Sequence, residues 1–276
     1  MLRSAETLIL RESGSLQCPN GLIAHRAEGA ELDYFAYVPR NASSASPLLV
    51  TVHGIERLAL QHAVRFSGLA EKLGLVVLAP LFSKARLPRY QRVERGASGE
   101  HPIDALELTI DHFQSASGLQ SAPLRLFGYS GGAQFAMRYA MLGNLPVGRL
   151  ALAAPGWFTM PDETQAFPYG FAASEASEGR QPDLARMLST PVLLTIGSED
   201  TRRDASLNRE KAVDAVQGRT RIERAHRWRQ AMGDAAKARG LVDRTEIQVL
   251  QGAGHDFNDN MQAHGLGEIV ANWLLK

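Results

Sequence analysis

The residue best suited to covalent chemistry is Ser130, which lies in the pentapeptide G-Y-S-G-G at positions 128–132. A strand-like apolar segment at 124–127 precedes it, and a helical pattern at 133–142 follows. A serine on such a sharp strand-to-helix turn is lifted above the edge of a sheet, and flanking glycines leave room for neighbouring backbone. The helix that begins behind it favours developing negative charge. The pattern predicts a nucleophilic serine.

A nucleophilic serine needs a base within hydrogen-bonding reach, and His255 is best placed to be that base. It lies in G-A-G-H-D-F at 252–257, between the last predicted strand and the last predicted helix. Loops at the carboxyl ends of strands are where an open α/β sheet places its site. His53 ends an earlier strand and is the other candidate at this edge. The other six of the eight histidines fall in positions that favour surface or packing roles.

The third expected member is a carboxylate that holds the imidazole in the right tautomer and stabilises its cation. The segment G-S-E-D at 197–200 follows the predicted strand at 192–196, so a carboxylate there emerges at the same edge. Asp200 is the preferred acid. Glu199 and Asp204 are the alternatives.

The elements that must position these residues alternate between apolar strand-like runs and helical patterns, which predicts an α/β chain with a mostly parallel sheet. Two early strands near 7–10 and 32–38 predict an antiparallel edge. Later strands are predicted at 48–52, 75–79, 124–129, 150–154, 192–196 and 246–250, and helices at 60–73, 103–115, 133–142 and 266–274. The intervening segment 80–102 is predicted to be a long loop.

Two segments interrupt the alternation, although the whole chain, 1–276, is predicted to be a single domain. The first, a cap-like insertion at about 156–187, contains several aromatic residues. Either they anchor the segment, or Trp157 and Phe158 form an apolar wall for an acyl group. The second, at about 201–240, carries eleven Lys or Arg against five Asp or Glu and is interpreted as a helical insertion with a solvated face.

Composition is that of an ordinary globular protein, with 45% apolar and 21% charged residues. A formal net charge of +1 argues against a nucleic-acid or acidic-membrane partner. One cysteine, Cys18, allows no intrachain disulfide. The apolar run at 8–10 is too short for the core of a signal peptide, and no segment is long enough for a membrane span. A cytoplasmic location is therefore expected.

Taken together, these motifs resemble the α/β-hydrolase fold family over about residues 32–276. The chain order Ser130, Asp200, His255 is the order of that family. The sequence His53-Gly54-Ile55 is similar to the segment that supplies an oxyanion-hole donor. The resemblance implies that the backbone N–H groups of Ile55 and Gly131 form the hole and that His53 is structural.

A narrower resemblance links the V-H-G segment at 52–54, the pentapeptide and the 252–257 loop to polyhydroxybutyrate-depolymerase-like and feruloyl-esterase-like hydrolases. The resemblance implies an eight-stranded type of sheet with helices on both faces. The predicted substrate-binding residues are Tyr129, Trp157 and Phe158.

The leading prediction is hydrolysis of a small-molecule carboxylic ester through an acyl-enzyme on Ser130. No organic cofactor is expected, and no metal is expected because metal-ligand spacings such as H-E-x-x-H are absent from the sequence. A serine peptidase or amidase could use the same three residues. A catalytically silent binding protein on this fold is a further alternative. Oligomeric state is left open.

Overall fold

The computed structural model describes residues 21–276, which form an eight-stranded sheet in the order β1-β2-β4-β3-β5-β6-β7-β8. The first strand pairs antiparallel with the second, the second pairs antiparallel with the fourth, and all other pairs are parallel. The strands are β1 (Leu22–His25), β2 (Tyr34–Tyr37), β3 (Leu48–Val52), β4 (Val76–Pro80), β5 (Leu124–Tyr129), β6 (Val147–Ala153), β7 (Val192–Gly197) and β8 (Thr245–Leu250).

Helices cover both faces of the sheet, since every residue of β3, β4 and β7 is buried. The first and last helices pack against each other, and the third and sixth both contact the fourth. None of the helices within 21–276 is both long and apolar enough to cross a membrane. The helices are α1 (Ala59–Leu73), α2 (Pro102–Ser117), α3 (Gly131–Leu142), α4 (Leu184–Ser189), α5 (Lys211–Gln217), α6 (Arg221–Ala238), α7 (Phe257–Gln262) and α8 (Leu266–Leu274).

The predicted fold class is confirmed, and the main elements lie within a few residues of their predicted bounds. The antiparallel edge is made by β1 and β2. The second of these matches the strand predicted at 32–38, whereas no strand was predicted at the position of β1. The strand predicted near 7–10 and the lone Cys18 lie outside the residues that the structure describes. The segment predicted as a long loop contains a short 3-10 helix, Tyr90–Arg92. Sequence patterns missed α4 and α7 because six-residue helices are too short to show a clear period.

The basic segment at 201–240 has the predicted solvated helix face, with residues such as Arg227, Gln230 and Lys237 exposed on α6, but the opposite face of that helix is buried. The segment contains α5 and α6, and α6 packs against β7 and β8. Arg221, Arg224 and Trp228 on α6 have no exposed surface. The charge count did not reveal this buried face, because Arg221 and Arg224 bond carboxylates and carbonyls inside the protein.

The sheet topology brings the chemistry-bearing loops to one edge. After β3 the chain runs to β4 on one side, and β5 then returns to the other side of β3. The strand order therefore reverses between β3 and β5, which is where open α/β sheets form a crevice. Ile55 follows β3 and Ser130 follows β5. Asp200 and His255 follow β7 and β8 at the same edge.

Candidate active site

Ser130 lies at the junction of β5 and α3 in a sharply turned backbone conformation, with φ 53° and ψ −113°. Such angles are uncommon for a residue with a side chain and persist only where the surroundings enforce them. The Ser130 N–H donates to the carbonyl of Ala153 in β6 at 2.8 Å, which ties the turn to the neighbouring strand. The side chain stands at the carboxyl edge of the sheet and keeps 9% of its residue surface exposed.

The glycines of the pentapeptide are required by close backbone approach. A Cβ on Gly132 would lie 2.5 Å from the carbonyl oxygen of His53 and 2.6 Å from the carbonyl carbon of Val52. A Cβ on Gly128 would lie 2.6 Å from the backbone nitrogen of Ala133. Real side chains do not tolerate such distances, so the elbow folds tightly only with glycine on both sides of the serine.

Replacing Gly132 with alanine is expected to destabilise the protein by about 1–3 kcal/mol, because the new methyl group overlaps rigid backbone. Gly68→Ala is the matched control, since Gly68 is exposed on α1 and a Cβ there meets nothing within 4 Å. That control should stabilise by up to about 1 kcal/mol through helix propensity. Urea unfolding measures both. A Gly132→Ala protein as stable as the wild type would contradict the explanation.

His255 connects the serine to a buried carboxylate. Its Nε2 lies 3.0 Å from Ser130 Oγ, and its Nδ1 lies 2.7 Å from Asp200 Oδ2. Asp200 is 1% exposed, whereas Glu199 is exposed and Asp204 binds the Ser206 hydroxyl. Of the three carboxylates considered from the sequence, Asp200 is the one that contacts His255. An ionised Asp200 accepts from Nδ1–H and leaves Nε2 free to accept the serine proton.

His53, the other candidate base, has both ring nitrogens occupied by backbone groups. Its Nδ1–H donates to the carbonyl of Gly54 at 2.8 Å, and its Nε2 accepts from the N–H of Phe82 at 3.0 Å. Complete burial lowers the pKa of His53 to about 4. A neutral ring with no free nitrogen fits a structural role in shaping the loop that follows β3.

That loop brings Ile55 beside the nucleophile elbow. A Cβ placed on Gly131 would lie 3.4 Å from the Ile55 nitrogen, and one placed on Gly54 would lie 3.5 Å from Ser130 Cβ. The hydroxyl of Tyr90 holds the loop by donating to the carbonyl of His53 at 2.5 Å. The structure thus brings the two predicted oxyanion donors together at Ser130. Ile55 itself is 43% exposed, on the open side of the site.

Tyr129, a predicted substrate-binding residue, lies behind the histidine. Its ring centroid is 5.6 Å from that of His255 and 5.3 Å from that of Phe257. Its hydroxyl accepts from Asn260 Nδ2 at 3.1 Å, and the same amide nitrogen donates to the carbonyl of Gly254. Tyr129 is 5% exposed, and its contacts support the loop that carries His255.

Phe158 and Trp157 are buried in the body of the protein. Phe158 has no exposed surface and stacks on Trp228 of α6 at 4.9 Å, and both its backbone groups bond the Gln217 amide. A side chain without exposed surface cannot line an open site in this conformation, so the burial of Phe158 supports the anchoring interpretation. Trp157 is 3% exposed and lies 4.3 Å from the Arg138 guanidinium. An acyl-binding role for Trp157 stays a prediction.

A separate groove of about 440 Å³ lies between the insertion at 156–187 and α5, with Met160, Tyr169 and Val213 among its lining residues. None of Ser130, Asp200 and His255 lines it. Over residues 21–276, no group of three His, Cys, Asp or Glu side chains is arranged to hold a metal ion.

Sequence reasoning missed one residue that touches the candidate site. Arg221, at the start of α6, donates from Nη1 to Asp200 Oδ1 at 3.2 Å and has no exposed surface. The T-R-I-E pattern at 220–223 could have located the helix start, where Thr220 and Glu223 form a capping box. Nothing in the local pattern distinguishes this arginine from its exposed neighbours.

The sheet order and the nucleophile elbow define an α/β-hydrolase fold, and comparison with solved structures agrees. Poly(aspartic acid) hydrolase-1 from Sphingomonas sp. KT-1 superposes with a TM-score of 0.77 at 21% identity, covering 93% of this chain and 99% of that one. LpqC, a poly(3-hydroxybutyrate) depolymerase from Bordetella parapertussis, gives 0.73 at 24%, covering 91% and 88%.

An S-formylglutathione hydrolase from Agrobacterium tumefaciens is similar with a TM-score of 0.61 at 16% identity, covering 94% of this chain and 98% of that one. Neither a protein-family model nor a curated protein matches the sequence. The chain has the α/β-hydrolase fold, as its sequence motifs predicted.

Proposed function

We propose that this protein is a serine hydrolase that cleaves carboxylic esters through an acyl-enzyme. The observation that carries the proposal is the continuous hydrogen-bonded chain from Ser130 through His255 to the buried Asp200, with distances of 3.0 and 2.7 Å. The nucleophile stands at the strand-order reversal between β3 and β5, where this type of sheet opens a crevice, and the base and the orienting acid reach it from the loops after β8 and β7. Two solved structures with the same fold are named as a poly(3-hydroxybutyrate) depolymerase and an S-formylglutathione hydrolase, whose named substrates are a polyester and a thioester.

In the proposed reaction, Ser130 Oγ attacks the ester carbonyl while His255 Nε2 accepts its proton. The carbonyl oxygen becomes an oxyanion beside the backbone N–H groups of Ile55 and Gly131. The tetrahedral intermediate collapses, and the imidazolium returns the proton to the departing alcohol. Water repeats the sequence on the acyl-enzyme and releases the acid. Asp200 stays ionised throughout and stabilises the imidazolium.

The oxyanion donors account for part of the expected rate. Two backbone N–H groups held by rigid loops stabilise the intermediate without reorganising, and losing one such donor costs roughly 3–4 kcal/mol in comparable sites. Here the loop is fixed by Tyr90 and by the Arg57 guanidinium, which donates to the carbonyls of Phe82 and Pro88. These contacts support the proposal that the two donors are preorganised.

The competing function is amide hydrolysis, which the same three residues could perform. The observation in its favour is the likeness to a poly(aspartic acid) hydrolase, whose named substrate is joined by amide bonds. Matched p-nitrophenyl esters and p-nitroanilides with the same acyl group separate the two. We expect ester turnover to exceed anilide turnover. Turnover of the anilides alone would replace the ester proposal with an amidase.

The acyl preference is tested with p-nitrophenyl esters of increasing chain length and with aromatic esters. We expect Phe158→Ala to lower the free energy of unfolding by about 3–5 kcal/mol, because removing the ring leaves a cavity in a fully buried stack with Trp228. Its effect on KM should be equal across the ester series. Trp157→Ala is the companion variant: a KM that rises only for long or aromatic esters would show an acyl wall, and an equal effect would show anchoring.

A further inference from the structure

The carboxylate of Asp200 contacts two side chains: the guanidinium of Arg221, which is a cation, and the imidazole of His255, which becomes one when it accepts a proton. Its Oδ2 accepts from His255 Nδ1 at 2.7 Å, and its Oδ1 accepts from Arg221 Nη1 at 3.2 Å. Both the arginine and aspartate side chains are within 1% of complete burial. No backbone N–H of residues 21–276 donates to this carboxylate within hydrogen-bonding distance, so its orientation depends on these two side chains.

Arg221 is itself held in place. Its Nη2 donates to the Ser206 hydroxyl at 2.6 Å, and its Nη1 also lies 3.5 Å from the carbonyl of Arg202. These partners belong to the loop that follows Asp200, so the guanidinium ties α6 to the acid-bearing loop. A planar guanidinium that binds several oxygens restricts the carboxylate in direction as well as in distance.

We propose that Arg221 is a positioning residue that orients Asp200 toward His255 and moderates how strongly that carboxylate holds a proton on the imidazole. The proposal rests on the proposed serine-hydrolase function. An isolated buried carboxylate stabilises the imidazolium and so keeps the base protonated to higher pH. A fixed positive charge on the other carboxylate oxygen opposes the imidazolium, so the base is free to accept the serine proton at lower pH.

Other charged or titratable groups face the same carboxylate and histidine. Asp204 lies 3.7 Å from Arg221 Nη2, and its side chain is 48% exposed. Tyr129 packs on the histidine ring from β5, and Asp256 follows His255 in its loop. Asp204 is screened by solvent, and the Tyr129 pKa is raised by burial, so its hydroxyl is neutral. Arg221 is the buried charge in direct contact with Asp200.

The test is the pH dependence of kcat/KM for a p-nitrophenyl ester in Arg221→Gln, which removes the charge but keeps a hydrogen-bond donor. We expect the acid limb to move to higher pH by roughly one unit. Arg221→Lys, which keeps a positive charge, should bring the limb back toward its wild-type position. A loss of packing alone would lower the rate without moving the limb.

Arg224→Gln is the matched control. Arg224 lies on the same helix and is equally buried, but it pairs with Asp214 at 2.7 Å and donates to the carbonyl of Gly156. Its loss should lower stability and leave the acid limb in place. If Arg221→Gln does not fold, Ser206→Ala loosens the guanidinium from an exposed position and should give a smaller upward shift.

An acid limb that stays in place in the folded Arg221→Gln variant, or in Ser206→Ala when that variant replaces it, overturns the proposal. So does an equal shift in Arg224→Gln. Failure of the proposed function would look different: the wild type would then turn over no ester, or its turnover would survive Ser130→Ala.

Discussion

Replacing Ser130 with alanine is expected to lower kcat for ester hydrolysis on the order of 10⁴-fold or more, because no other hydroxyl can take its place on the elbow. The change removes one oxygen from a turn that is supported by backbone contacts on both sides. Alanine is accommodated at the same backbone position, so the fold should persist. Turnover and thermal unfolding measure the two effects separately.

The matched control is Ser189→Ala, which removes an exposed hydroxyl at the end of α4 that bonds only the helix carbonyl of Ala185. A fluorophosphonate probe should label the wild type and this control but not Ser130→Ala. If Ser130→Ala keeps more than about a tenth of the wild-type rate, Ser130 is not the nucleophile, since loss of a nucleophile costs far more than that. Absence of labelling in an otherwise folded wild type would favour a silent binding protein.

Replacing Asp200 with asparagine is expected to lower kcat by up to about 10⁴-fold. The asparagine amide can donate to Nδ1, which places the histidine proton on Nε2, facing the serine, where a lone pair is needed. The substitution would also leave the Arg221 guanidinium buried without its anion, although Asp204 lies 3.7 Å from the other nitrogen. A measurable loss of stability should therefore accompany the loss of activity.

Glu199→Gln tests the same loop without touching the buried pair, because Glu199 is exposed and only its backbone N–H bonds the histidine loop, at the carbonyl of Ala253. We expect nearly wild-type kinetics for this variant. Steady-state assays of both proteins at several pH values check the prediction. A neutral Asp200→Asn together with an inactive Glu199→Gln would mean that the acid role had been assigned to the wrong residue.

Local sequence was enough to predict the fold class and which loops meet at the candidate site. The strand-elbow-helix pattern around Ser130 and the loops that carry Asp200 and His255 each follow a recognisable strand. Carboxyl ends of parallel strands necessarily meet at one edge of a sheet. Knowing that each loop follows such a strand therefore predicts that their side chains converge, even though 125 positions separate the serine from the histidine.

Only the tertiary structure decided which neighbouring side chain makes each contact. Asp200 and Glu199 are adjacent in the same loop after β7. Packing of this loop on the loop at 252–257 buries Asp200 and leaves Glu199 exposed. A Cβ on Gly197 would lie 2.8 Å from the carbonyl carbon of Ala253, so that packing has little freedom. Such an approach between distant segments leaves no local pattern in the sequence.

Contacts between distant segments also determine which side chains are buried. Phe158 is an aromatic residue of the kind that lines apolar pockets. Whether it faces a site or the core depends on the distant helix α6, where Trp228 stacks on it. Arg221 lies on α6, a helix composed mostly of charged and polar residues. It is buried because one face of this helix meets Asp200 and Ser206. Periodicity and strand ends are local properties that the sequence determines by itself. Burial and charge pairing depend on contacts between distant segments, so only the folded chain decides them.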